Sequence, residues 1–277
     1  VALVSDSTSV DAALAEALDV FVVPLQVVIG ATSYDEGTDA TPDKVAAALK
    51  EWSPVSTSRP TPEAFLRIYD QAASNGAREV VSIHLSGEVS GTFESAQIAA
   101  KESPIPVETV DSRLLGMGTG FAVRAAATAL DDGASAAEAA EVAARRAEAT
   151  TVLFYVDTLE YLRRGGRVGA AAAFFGSALA VKPLLTLKDG RIVPLEKVRT
   201  ASRAIHRLEE LAVAAAGDKP VDVAVSHLAN AERASSLADR LREQVPGLDE
   251  LVVNQVGAVI GAHVGPGMLA VVVSPHL

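Results

Sequence analysis

The chain has no cysteine among its 277 residues, which excludes disulfides, thiolate nucleophiles and cysteine metal sites and leaves the redox compartment unreadable. It is also short of positive charge. With 24 basic against 35 acidic residues the formal charge is −11, which argues against a general nucleic-acid or anionic-membrane binder. No apolar run reaches the ~20 residues of a membrane span; residues 168–181 (VGAAAAFFGSALAV) come nearest and are expected to form a buried helix. The opening VALVSDS is an immediate strand with no charged leader, so a cytoplasmic location is expected. No Gly-Lys pair exists for a phosphate loop, and the five histidines (His84, His206, His227, His263, His276) fit no metal-ligand spacing. No cofactor is therefore expected.

What is present is a pattern of strands that run into hydroxyl-rich helix starts. Residues 84–96 (HLSGEVSGTFESA) carry it most clearly: strand 79–85 passes through Ser90, Gly91 and Thr92, the candidate N-caps, into helix 93–101. Free N–H groups at such a helix start, beside small hydroxyls, suit a carboxylate or phosphate. Strand ends at Ser5, Thr57, Ser86 and Asp111 are expected to deliver Ser, Thr and Asp to one edge of a parallel sheet, where α/β proteins bind ligands. Residues 21–29 read as one strand, with Pro24 marking an edge or bulge. Beyond a boundary placed at Thr150-Thr151, Asp189-Gly190 between two apolar runs signals a hairpin, so antiparallel pairing enters and the second sheet is mixed. The expected architecture is α/β in two domains, 1–150 and 151–277.

Several chemistries fit poorly. A nucleophile elbow needs G-x-S-x-G, and residues 87–91 place one residue too many between glycine and serine. Gly116-Met117-Gly118-Thr119-Gly120 has its third glycine one residue early for a dinucleotide fingerprint, so close helix packing is the better reading. Asp6 and Asp111 sit where aspartate usually caps. Arg163-Arg164-Gly165-Gly166-Arg167 reads as a helix C-terminus with compensating cations. Arg199, Arg203 and Arg207 recur at i, i+4 spacing, a positive face that Glu209 and Glu210 would balance if it is merely solvated.

Taken in order, Ser5-Asp6-Ser7-Thr8, Thr57-Ser58-Arg59-Pro60, Leu85-Ser86 with residues 90–96, Val110-Asp111-Ser112, Leu159-Glu160-Tyr161-Leu162 with Gly165-Gly166-Arg167, Lys182-Pro183 and residues 257–267 resemble the DegV family of bacterial fatty-acid-binding proteins, lipid-carrying subunits of fatty acid kinase. The resemblance implies an N-terminal three-layer α/β/α domain with a parallel sheet and a C-terminal two-layer α/β domain with a mixed sheet. It implies a buried long-chain fatty acid, such as palmitate or stearate, whose carboxylate is held by Thr57 or Ser58 and by Ser90 with the Gly91 amide. Arg167 and His263 would lie near the head group, and a separate ATP-dependent kinase would make the acyl-phosphate. Arg59 stands where the family often has glutamine, and Val89 where leucine is common. Two other readings stay open: a hydrolase or phosphotransferase using Ser90 with His263 as base, and a regulatory module for another anionic metabolite.

Overall fold

A computed structural model describes residues 1–171 and 181–277. Most of the stretch expected to form a buried helix at 168–181 lies outside the described residues. In chain order the first half runs β1 (Ala2–Asp6), α1 (Ala12–Ala17), β2 (Val20–Val23), β3 (Gln26–Ile29), β4 (Thr32–Asp35), α2 (Pro42–Lys50), β5 (Val55–Ser58), α3 (Pro62–Ser74), β6 (Val80–His84), α4 (Thr92–Ala100), β7 (Val107–Asp111), α5 (Met117–Asp131) and α6 (Ala136–Ala149). The second half runs β8 (Thr151–Tyr155), α7 (Glu160–Arg164), β9 (Lys182–Lys188), β10 (Arg191–Val198), α8 (Ala201–Ala216), β11 (Val221–His227), α9 (Ala231–Gln244), β12 (Leu248–Gln255), α10 (Ala258–Val264) and β13 (Leu269–Pro275).

The first sheet is parallel, in the order β2-β1-β6-β7, and the second is mixed, in the order β10-β9-β8-β13-β11-β12. Alternation assigns the faces. In β6, Val81 and Ile83 turn toward α5 and α6, while Val80 joins Phe65 and Tyr69 of α3 and Ala96 of α4 on the other side. In β8, Val152 and Phe154 also turn toward α5 and α6, and Leu153 and Tyr155 face α8 and α9. Helices α5 and α6 are therefore packed between the two sheets. Their small residues let both sheets come close. A Cβ on Gly120 would stand 2.7 Å from the Ser9 carbonyl, and one on Gly118 3.1 Å from Val152, so these glycines serve packing as the sequence suggests. Arg146 of α6, itself buried, donates to Ser274 Oγ and Asp222 Oδ2 at 2.6 Å each and ties the helix to the second sheet.

Three expectations need correction. The strand read over 21–29 divides at Pro24, where proline cannot continue a ladder; β2 stays in the parallel sheet and β3 opens a separate antiparallel sheet, β4-β3-β5. Thr57 lies on β5 of that small sheet, so it does not share the parallel edge with Ser5, Ser86 and Asp111. The small sheet and α2 pack instead on Ala258, Val259 and Ala262 of α10, which brings Thr57 to the C-terminal half. The arginine face also differs. Arg207 is held by Glu196 and Glu210, and Glu209 turns inward to Arg240, leaving Arg199 and Arg203 exposed.

Candidate functional site

Three loops and one helix converge on a cavity of about 440 Å³. Thr57, Ser58 and Arg59 come from the end of β5. Ser90 and Gly91 precede α4. Arg167 follows α7, and α10 contributes Val259, Ile260, His263 and Val264, spaced as one helical face. All six residues singled out in the sequence (Thr57, Ser58, Ser90, Gly91, Arg167 and His263) line this one space. Leu25, Leu85, Leu115, Leu162 and Ile192 give it apolar walls, and its volume lies within the roughly 300–1,000 Å³ usual for small-molecule sites. Ile192 belongs to β10, where it is buried between exposed Arg191 and half-buried Val193; the hairpin signal in the sequence places it on a strand and gives it no part in the site.

Local backbone chemistry explains how Arg167 arrives. Helix α7 ends in a Schellman turn: Gly166, at φ 73°, donates to the Arg163 carbonyl and Arg167 N–H donates to that of Leu162. The reversal sends the Arg167 side chain toward the other half, where Nε donates to the Val89 carbonyl at 3.1 Å, while Nη1 donates to the Gly165 carbonyl of its own turn at 2.5 Å. Val89 immediately precedes Ser90, so the guanidinium pins the loop that carries the serine.

His263 Nε2 is 2.8 Å from Thr57 Oγ1, while its Nδ1 is buried and has no partner among the described residues. Burial, and then the Arg167 charge, push its pKa down to about 4, so the ring is neutral at pH 7. A proton on Nδ1 would be a buried donor with no acceptor, so the favoured tautomer carries it on Nε2. Nε2–H then donates to Thr57 Oγ1, which keeps its own hydrogen free. Ser58 turns the other way and donates to Gln26 Oε1 at 3.2 Å. Ser90 Oγ shares a hydrogen bond with Thr92 Oγ1 at 2.8 Å and accepts from Thr92 N at 3.3 Å. The N-cap of α4 is Gly91, with no side-chain cap. Arg59 bonds Gly91 O at 3.2 Å and Glu94 Oε2 at 2.6 Å, so its extra charge is paired.

The aspartates lie elsewhere. Asp6 accepts from Thr8 N and Oγ1, Leu85 N and His84 Nδ1, and His84 Nε2 continues to Ser82 and Tyr69. Burial alone would raise the Asp6 carboxyl, but His84 and the other donors outweigh it and its pKa is lowered. This string resembles a catalytic triad in distance only, since Asp6, His84 and Ser82 are wholly buried. Asp111 accepts from Gly87 N and Arg113 N and orders the loop. Among the described residues, Asp222, Asp249 and His276 form a metal-like group, but Asp222 is already paired with Arg146. No helix among the described residues is long and apolar enough to cross a membrane.

Comparison with known proteins gives a consistent answer. The model of the DegV family, described as "Uncharacterised protein, DegV family", matches residues 1–276. A DegV domain-containing protein of Streptomyces coelicolor is 56% identical over 275 residues, covering 99% of this chain and 98% of the relative. A DegV family protein from Thermus thermophilus, solved for its fatty acid binding, is 33% identical with a TM-score of 0.94 over 99% of both chains. DegV from Bacillus subtilis, described as a fatty acid binding protein, is 32% identical with a TM-score of 0.91, again over 99% of both.

Proposed function

The chain belongs to the DegV family, and from that premise we propose that it is a cytoplasmic carrier that buries a long-chain fatty acid and presents the carboxylate to a separate ATP-dependent kinase for acyl-phosphate formation. The observation that carries this reading is the convergence of two hydroxyl-bearing loops, one arginine and one neutral histidine on a cavity with apolar walls. Residues 1–150 and 151–277 act as the two domains, the first supplying Thr57, Ser58, Ser90 and Gly91 and the second Arg167 and His263.

The chemistry divides between tail and head. At ~0.8 kcal/mol per buried CH₂, about 14 methylenes contribute ~11 kcal/mol before ordering costs. Thr57, with its hydrogen released by His263, and Ser90 donate to the carboxylate, while Arg167 supplies charge. Charge-assisted hydrogen bonds worth ~1.5–3 kcal/mol each keep the carboxylate from being buried unpaired. Neither Arg167 nor His263 has to remove a proton, because a fatty carboxylate is ionised at neutral pH. Their work is orientation toward the phosphoryl donor, and exposed Arg199 and Arg203 on the C-terminal half offer the kinase a cationic contact.

Native mass spectrometry of the purified protein tests the core of this reading: a bound acyl chain is expected, and failure to hold or take up any fatty acid overturns it. Ser90→Ala should weaken fatty-acid affinity by about tenfold or more with the fold unchanged. Arg167→Ala and His263→Ala should lower kinase-dependent acyl-phosphate more than they lower retained lipid. Equal losses of both would remove the orienting role.

A further inference from the structure

Behind one wall of the fatty-acid cavity lies a second cavity of about 480 Å³. Three segments build the wall, and each presents neighbouring residues to opposite sides: Leu25 and Pro24, Leu115 and Gly116, Val259 and Ala258, the first of each pair facing the first cavity. A wall in which sequence neighbours face opposite ways is about one residue thick. Among the described residues, Ile260 lines both spaces.

Its placement follows from the helix. Ile260 shares the cavity face of α10 with His263 and Val264, and its Cδ1 reaches toward Gly116, where a Cβ would stand only 3.4 Å away. Gly116, at φ 55°, has no side chain to fill the gap, so the isoleucine tip closes it. Beyond the wall, Val22, Met117 and Val256 offer apolar surface. The buried carboxylate there, Glu36, is capped by Ser7 Oγ at 2.6 Å and Val259 N at 2.7 Å, so it is not left seeking a cation.

We infer that Ile260 is the stop that sets acyl chain length, and that the second cavity is the space a longer tail enters when the stop is cut back. This rests on the fatty-acid reading above. Replacing isoleucine by alanine removes three carbons from the wall and joins the spaces. Each added methylene that finds cover is then worth about a fourfold gain in affinity.

The test is competition. Delipidated wild type, Ile260→Val and Ile260→Ala are each equilibrated with an equimolar mixture of saturated C14 to C22 acids, and the bound species are counted by native mass spectrometry. The bound ratio of C20 to C16 should rise at least tenfold in Ile260→Ala and by a smaller factor in Ile260→Val, which also serves if the alanine variant does not fold. An unchanged ratio in variants that still bind C16 overturns the role of Ile260 and leaves the carrier reading standing. A wild type that takes up no acid in the mixture overturns both.

Discussion

The Glu36 carboxyl is pushed up to about 7 by burial, with the Ser7 hydroxyl and the Val259 N–H pulling it back only part of the way. Its folded pKa lies above its ordinary value of 4.5, so its stabilising contribution is complete below pH 4.5 and is lost as pH rises through 7. His263 works in the opposite sense. With its folded pKa depressed to about 4 from 6.5, it makes stability fall as pH drops through that window. The two slopes oppose each other between about pH 4.5 and 6.5. Glu36→Gln removes one of them, so urea midpoints of the variant should climb with pH across that window more steeply than those of wild type. Its advantage over wild type should grow by roughly 3 kcal/mol from pH 4.5 to 8. Parallel midpoint curves would show that folding leaves the Glu36 pKa at its ordinary value. Motifs pointed to Thr57, Ser90, Arg167 and His263 but not to Glu36, because its partners Ser7 and Val259 lie 29 and 223 residues away. Residue chemistry was legible where a loop carries it and illegible where distant segments create it.

The Asp189-Gly190 turn was readable as an element because both residues take positive φ, 50° and 79°, which Asp and Gly tolerate. The sequence could not reveal what the turn touches. Ser86 Oγ donates to the Gly190 carbonyl at 2.7 Å, and Arg191 pairs with Glu88 at 2.6 Å, so the hairpin clasps the loop ahead of α4. Gly190→Ala should cost ~1–2 kcal/mol for its backbone conformation plus the collision of the new Cβ with Ser86 Oγ. Gly133→Ala is the control, since that glycine also has positive φ but nothing within 4 Å. Equal losses in urea denaturation of the two variants would mean that the clasp carries no load. The same distinction explains α10. Gly257, Gly261, Gly265 and Gly267 hide a helix from propensity arguments, yet Gly261 packs closely, since a Cβ there would stand 3.1 Å from the Leu228 side chain and press it aside.

For the molecule as a whole, the alternation of strands and hydroxyl-rich helix starts made the parallel sheet legible, and the hairpin signal did the same for the mixed one. The small sheet β4-β3-β5 was not legible, because its strands are four residues each and β4 carries no apolar alternation. That sheet, α4, α7 and α10 all meet at the cavity, so a ligand there joins segments from across the chain. At a hundredfold excess over Kd, bound fatty acid should add ~2.7 kcal/mol, raising Tm by about 5–10 °C over delipidated protein in a scanning calorimeter. No shift on adding lipid would argue that the cavity stays empty. The layer of α5 and α6 between the sheets has a consequence for descent. Phe121 and Ala143 belong to a cluster that also takes in Ile83 from the first sheet and Phe154 and Val272 from the second. A gene spliced near codon 150 would therefore hand each new host half of a greasy seam. Each half of this chain needs the other to keep its inner face dry.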